Sequence, residues 1–360
     1  MSTEKTVQML DVFRQQVDTP RFLSSFFQSP ARNFHNSEDV EVDILREDEE
    51  VAVTVADITS SARMNEATRL TNKRFTPPVF KEAGPINAYR LMLRVAGQNP
   101  YQDPQYQANA MAAAMDIGRK TEGKIRRAVE LMASQVLQTG ALTMKGDDGA
   151  TRFTMDFSPK TSHFPTAGTS WATSATCTPL DDIESLADTI RTNARKECED
   201  AIFGRVAIQN FLASTQVQTI ADNRRFSLVY IEGVADRGGG AKYHGTIVAG
   251  QYRLNLWSYT GRYKDVETGT ITKYVDDNNV ILRAPGRLDL TWGNIPQVGP
   301  MDQRLLPYLP SRVASSGNGI DLHYNAWREL DGTGVTVQVA ARPLTVPTEI
   351  DSFGCLDTIP

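Results

Sequence analysis

Four histidines (His35, His163, His244 and His323) and three cysteines (Cys177, Cys198 and Cys355) are the side chains with the most chemistry to offer in this sequence. None of them sits at a metal-ligand spacing, and the cysteines are too few and too far apart for a zinc set or a disulfide framework. No cysteine lies in a local signature that would make it a nucleophile. Asp181-Asp182 falls where a helix begins, and acids there offset the positive end of the helix dipole without any metal. Gly240-Ala241-Lys242-Tyr243-His244-Gly245-Thr246 has the glycine separation of a phosphate loop. It lacks the lysine after the second glycine that would reach the phosphates. Gly238-Gly239-Gly240 reads as a turn. No serine stands in a Gly-x-Ser-x-Gly elbow, and Ser315-Ser316-Gly317-Asn318-Gly319 reads as a loop. These residues predict no catalytic site, no metal site and no cofactor.

The chemistry that remains is contact chemistry. Phe22-Leu23-Ser24-Ser25-Phe26-Phe27 is an apolar knot between Pro20 and Pro30, in a segment too short for a core of its own. Burying each aromatic ring is worth roughly 1.5–3 kcal/mol, so Phe22, Phe26 and Phe27 must dock, on the body of the chain or on a neighbouring copy. Two charged stretches follow. Glu38–Glu50 holds eight acids and one base, while Asp57–Gly84 holds five bases, Arg63, Arg69, Lys73, Arg74 and Lys81, against three acids. The second stretch is nearly thirty residues with little core material, so it projects or lies on a partner. Arg63, Arg69, Lys73 and Arg74 are therefore expected, with the three phenylalanines, to make assembly contacts. The basic stretch is expected to meet an acidic surface of a neighbour.

The elements that must position these groups read as α+β. Val40–Leu45 alternates as a half-exposed strand, and Glu50–Val55 resembles a second. The run Ala88–Leu93 is strand-like, and with the basic stretch before it suggests a long projecting hairpin. Asp103-Pro104 is a helix start, and helical composition continues to Thr139 with Gly140 as the stop. Ile125, Val129, Met132 and Val136 share one face; Lys124, Arg126, Arg127 and Glu130 read as its solvated flank. Gly118 and Gly123 predict a kink or two abutting helices. Ala141–Met144 and Arg152–Phe157 make a hairpin around Gly146-Asp147-Asp148-Gly149. Helices are expected from Pro179 to about Arg195 and from Val206 to about Thr215. Strands are expected at Asp200–Phe203, Phe226–Ile231, Thr246–Tyr259, Thr270–Val275, Val280–Arg283, Leu288–Trp292 and Val335–Ala340.

Composition closes off other classes. The 360 residues carry 38 Lys and Arg against 43 Asp and Glu, a formal charge of −5, with 40% hydrophobic residues. That is globular usage, with length for two domains. A mildly acidic chain lacks the basic face of a DNA-coating protein. Met1–Gln16 lacks a signal-peptide pattern, and no apolar run approaches the ~18 residues of a membrane span. The scarce cysteines suit a reducing compartment.

The ordered set of local features resembles the major capsid protein E family of tailed bacteriophages, the lambda-like branch of the Hong Kong 97-type capsid fold. It runs from Arg21–Phe27 through Arg74-Phe75-Thr76-Pro77, Asp103-Pro104-Gln105-Tyr106 and Gly140 with Leu142-Thr143-Met144. It continues through Met155-Asp156-Phe157, Trp171 and Asp181–Glu184 to Ala341-Arg342-Pro343-Leu344. The stretch from about Asn223 to Pro310 matches poorly. The resemblance implies an N-terminal arm (1–40), an acidic strand region with an extended hairpin loop (41–92) and a peripheral domain on a spine helix (93–175). An axial domain (176–320) and a C-terminal segment returning to the peripheral domain (321–360) complete it. It implies a structural protein that forms hexamers and pentamers of itself in a shell assembled in the host bacterial cytoplasm. The implied partners are the portal protein, a separate scaffold, a decoration protein and packaged double-stranded DNA held without sequence-specific binding. No membrane is involved. If the chain starting at Met1 is the mature form, no long scaffolding segment has been removed from it. The competing reading is a β-rich phage tail or decoration protein.

Overall fold

The computed structural model describes residues 21–30, 33, 40–45, 70–87, 106–146, 148–222, 229–230, 235–236, 240–295, 322–328 and 334–360. Val40–Leu45 (β1) and Leu70–Phe75 (β2) pair antiparallel as the two sides of a hairpin. The strand that the alternation predicts is therefore present as β1, and its partner is the basic run. The basic run Leu70–Phe75 pairs back onto the acidic strand, while the next strand, Phe80–Asn87 (β3), leaves to join another sheet. The expected runs at 50–55 and 88–93, and the helix start at 103–104, lie outside the described residues.

The long helix α1 spans Tyr106–Thr139, a length of about 51 Å at 1.5 Å per residue. Gly118 and Gly123 do not break it. β3 packs closely on the helix beside this stretch: a Cβ on Gly84 would come within 2.8 Å of Ile117 Cγ2. Ile125, Val129, Met132, Ala133, Val136 and Leu137 form its buried face, as the spacing requires. Gly140 ends it at φ +66°, donating its N–H to Val136 O at 2.8 Å. Ala141–Lys145 (β4) and Thr151–Asp156 (β5) then form the expected hairpin.

Pro179–Ala194 (α2) leads to Asp200–Phe203 (β6) and then to Arg205–Ala213 (α3) and Thr215–Asp222 (α4). The helix expected over 206–215 is α3; α4, beyond it, is not among the expected helices, and Ser214 separates the two. Its extended backbone interrupts the run, and its hydroxyl accepts the Val217 N–H at the start of α4. Short strands Val229–Tyr230 (β7) and Ala235–Asp236 (β8) precede Ala241–Ala249 (β9) and Tyr252–Tyr259 (β10). One strand is expected over 246–259; Gly250, at φ +57°, turns it into a hairpin instead. Arg262–Lys264 (β11) and Ile271–Lys273 (β12) make a small hairpin, followed by Asn279–Arg283 (β13) and Asp289–Trp292 (β14). The end of the chain supplies His323–Arg328 (β15), Gly334–Ala341 (β16), Pro343–Val346 (β17) and Phe353–Asp357 (β18).

The central sheet runs β18-β13-β6-β10-β9-β7, with β8 also on β9; β6 and β10 are parallel. Both faces are buried, which is why its inner strands read as continuous apolar runs. Ile202 and Ile281 face the core that includes α1, while Ala201, Phe203, Val280 and Leu282 face α2 and α3. A second sheet, β15-β16-β3, lies against α1, and β14 pairs β17. β16 and β17 pack on α1, β17 also pairs β14, and β18 is an edge of the central sheet that likewise touches α1. The apolar run Phe353–Leu356 has two faces to bury: Phe353 and Cys355 enter the core that includes α1, and Leu356 enters the core on the side of α2 and α3. Among the described residues no helix is long and apolar enough to cross a membrane.

Candidate functional site

The aromatic knot lies in a seam between α1 and the central sheet. Ser24–Phe26 form a short 3-10 turn, so successive side chains splay to different sides. Leu23 and Phe27 are buried in the core, and Phe22 and Phe26 pack partly buried against it. The Phe22 ring centroid is 5.3 Å from that of Trp257 and 5.5 Å from that of Tyr259, both on β10. The Arg283 guanidinium on β13 stands over the Phe26 ring at 4.3 Å and bonds Asp200 Oδ2 at 2.5 Å. Asp200 also accepts from Trp257 Nε1 at 3.1 Å. The segment thus touches a helix and two strands that are far apart in sequence.

Glu130 is the polar centre of this seat. It lies on α1 and is 0% exposed. Its Oε1 accepts the Leu23 N–H at 2.8 Å and the Tyr259 hydroxyl at 2.7 Å; its Oε2 accepts the Ser24 N–H at 2.9 Å. The solvated role expected for Glu130 is therefore wrong. A buried carboxylate is tolerable only when its lone pairs find donors, and here the arm backbone and Tyr259 supply them. Nearby, burial and the charge of Glu130 push the Tyr274 phenol well above its ordinary value.

A second latch holds the arm five residues on. Gln28 forms a bridge to β14, donating its N–H to Leu288 O and accepting from the Leu290 N–H, each at 2.8 Å. Asn33 Nδ2 donates to Asp289 Oδ1 at 3.1 Å, and Asp289 Oδ2 takes Thr348 Oγ1 and Arg287 Nε, each at 2.7 Å. Trp292 Nε1 donates to Ser29 Oγ at 2.9 Å. Where the chain re-enters the body after β2, buried Arg342 donates from Nε to Pro77 O at 3.1 Å and from Nη1 to Asn294 O at 3.2 Å. Arg342 thus ties the base of the β1–β2 hairpin to the core.

Of the residues expected to make contacts, Phe22, Phe26 and Phe27 converge on this seat. Lys73 and Arg74 fall on β2, where the register sets Arg74 opposite Glu41 and Lys73 opposite Val42. Parts of the acidic and basic stretches are thus paired strands of one chain at this point, beside the expected contact with a neighbour. Arg63 and Arg69 lie outside the described residues. The sequence reading missed Glu130, Asp289, Arg283 and Tyr259. Only Glu130 left a trace, as a lone acid within the apolar run Ala128-Val129-Glu130-Leu131-Met132.

The groups with latent chemistry are quiet. All three cysteines are buried and free. Burial pushes the Cys198 thiol up to about 12, and raises Cys177 and Cys355 as well. Thiolates are therefore scarce at neutral pH. His163 Nδ1 faces Phe353 O at 2.8 Å and its Nε2 faces Asn193 Nδ2 at 2.9 Å, a packed structural histidine. His244 Nε2 faces Ser258 Oγ at 2.7 Å, and burial, with Lys242, lowers its pKa. The segment with phosphate-loop glycine spacing is largely strand β9. Among the described residues no group of three or more His, Cys, Asp or Glu is placed to hold a metal ion.

The chain matches the family model described as phage major capsid protein E over residues 5–353. No curated protein matches it. Among solved structures, the prophage capsid protein of E. coli CFT073 is similar at TM-score 0.56 and 19% identity, covering 81% of this chain and 79% of that one. A phage-related protein of Bordetella bronchiseptica RB50 gives TM-score 0.48 at 10% identity, covering 96% and 93%. A chain of Microbacterium phage Oxtober96 gives 0.48 at 10%, covering 99% and 96%.

Proposed function

The chain belongs to the phage major capsid protein E family, and from that membership we propose that its copies assemble, as hexamers and pentamers, into a closed shell around double-stranded DNA. It is a major capsid protein with the Hong Kong 97-type fold. The carrying observation is the family match over residues 5–353. The mixed α and β fold built on one long helix agrees with it.

In this reading residues 1–40 are the arm and 41–92 contain the extended hairpin. Residues 93–175 make the peripheral domain, and 176–320 the axial domain around the central sheet. Residues 321–360 return to the peripheral domain, a reading supported by the packing of β16, β17 and β18 on α1. Phe22, Phe26 and Phe27 serve assembly by anchoring the arm to the body, and Arg63, Arg69, Lys73 and Arg74 serve it through the hairpin. The role is structural and not enzymatic. The portal protein, a scaffold and a decoration protein are partners, and the shell is built in the host cytoplasm before it becomes the virion. A net charge of −5 suits a wall that encloses DNA without gripping it. A β-rich tail or decoration protein is not favoured, because the family match spans nearly the whole chain.

Electron microscopy of the purified protein, expressed alone and with its neighbouring phage genes, tests this. Closed shells or ring-shaped capsomers are expected. Compact monomers under every condition would overturn the reading.

A further inference from the structure

The arm carries two interleaved apolar pairs with the same spacing of four, Phe22 with Phe26 and Leu23 with Phe27. The seat buries the second pair and half-covers the first. An apolar groove alone discriminates poorly between them, since a shift of one residue replaces a Leu–Phe pair by a Phe–Phe pair of similar bulk. Hydrophobic burial rejects the slip that would seat Ser24 and Gln28 but not the slip that would seat Phe22 and Phe26, so the choice between those last two registers rests on polar contacts: the Gln28 bridge to β14 and, inside the seat, Glu130.

We propose that Glu130 is the specificity-determining residue that fixes the register of the arm. The amides of Ser25, Phe26 and Phe27 are used within the turn, bonding to Arg21 or Phe22, Leu23 and Ser24 carbonyls. The Leu23 and Ser24 amides are the two that Glu130 receives, one on each oxygen. A slip in one direction sets the Phe22 and Leu23 amides against the carboxylate and takes the Ser24 amide away from its acceptor. A slip in the other direction presents the Ser25 amide, which already bonds inside the turn. Either way a buried N–H loses its partner, a penalty of roughly tenfold or more in the register equilibrium. Tyr259 supports the arrangement from the other side: its hydroxyl holds Oε1 while its ring flanks Phe22. Glu130 is a positioning residue here, since it acts on assembly through where it sets the arm. A slip of one residue moves the chain on both sides of the seat by about 3 Å, which shifts the path toward Gln28 and the hairpin.

The inference rests on the capsid reading for its consequence but not for its first test. Hydrogen–deuterium exchange on the full chain is compared between wild type and Glu130→Leu. Amides in residues 21–28 are expected to exchange at least tenfold faster in the variant, while α1 and the central sheet keep their protection. Unchanged arm protection would overturn the proposal. Should Glu130→Leu not fold, Glu130→Gln is read the same way; it keeps the volume but turns an amide donor toward one of the two arm N–H groups. The second readout is electron microscopy of assembled particles. Wild type is expected to give uniform shells and the variant a broadened or aberrant size distribution. Uniform variant shells would remove the register role while leaving the capsid reading intact. Absence of wild-type shells would strike the capsid reading, with the exchange result still deciding what Glu130 does to the arm.

Discussion

A phenylalanine in this arm is worth what its neighbours make of it. Phe27 is 4% exposed inside the core, so Phe27→Ala is expected to cost about 3–5 kcal/mol through lost transfer and a cavity. Phe26 is only partly buried and carries the Arg283 cation on its face, so Phe26→Ala should cost about 1–2 kcal/mol. Urea unfolding of the two variants measures both, and equal losses would show that the exposure difference does not govern the seat. Cys198 supplies a pH prediction. Its thiol is held up to about 12, against an ordinary value of 9.0, because burial disfavours the thiolate. The unfolded chain therefore releases this proton first. The stabilisation is complete below pH 9 and is lost as pH rises toward 12, by up to about 4 kcal/mol. Urea midpoints between pH 8 and 11 should fall less steeply for Cys198→Ala than for wild type; parallel curves would refute the assignment.

At the scale of elements, α1 depends on how it stops. Gly140 takes a left-handed conformation, and a Cβ there would lie 2.2 Å from Pro159 Cγ. Gly140→Ala must both strain the backbone and displace a ring, so a loss of at least ~2 kcal/mol is expected. The hairpin β4–β5 starts at the next residue and should loosen with it. Thermal unfolding reads the loss, and a change within 0–0.5 kcal/mol, the size of an ordinary surface substitution at about ±0.5, would contradict it. Ser214 and Gly250 make the same point about legibility. Gly250 divides what reads as one strand and Ser214 starts a helix that the pattern does not show, each through a single conformational or capping property. Periodicity finds elements well because it averages over many residues, and for that reason it overlooks one residue that breaks a run.

For the whole molecule, the charge contrast along the chain now has a register. Arg74 stands opposite Glu41 across β1 and β2. Cross-strand opposite charges contribute roughly 0.2–1 kcal/mol, and like charges subtract a similar amount. Arg74→Glu alone is expected to impair shell assembly at low salt, and Glu41→Arg combined with Arg74→Glu to restore it. Recovery by the swap would place the pairing inside one chain; failure to recover would return the contact to the neighbouring copy. Reversal of Arg69, Lys73 and Arg74 together should give the larger defect, weakening with salt as exposed charges are screened beyond ~10 Å at 0.1 M. Light scattering of assembly across a salt series measures both.

The sequence by itself determined the elements whose signals are local and repeated. The buried stripe of α1, the stop at Gly140, the strand Asp200–Phe203, the hairpin after the helix and the need of the phenylalanine knot for a host all follow from side-chain spacing or backbone preference. It also carried the ordered set of short features that marks the family. Tertiary structure alone decided what the knot meets. Glu130 is separated by more than a hundred residues from Leu23 and again from Tyr259. Asp289 is as remote from Asn33, and Arg342 from Pro77. A charge on a helix flank is solvated by default, and it becomes a buried acceptor only when distant chain brings donors to it. The pairing of β1 with β2, rather than with a later strand, and the arrival of β18 at the edge of the central sheet are decisions of the same kind. Strand partners are chosen by long-range closure against a common core, and a one-dimensional pattern states which face wants burial but not which surface will bury it.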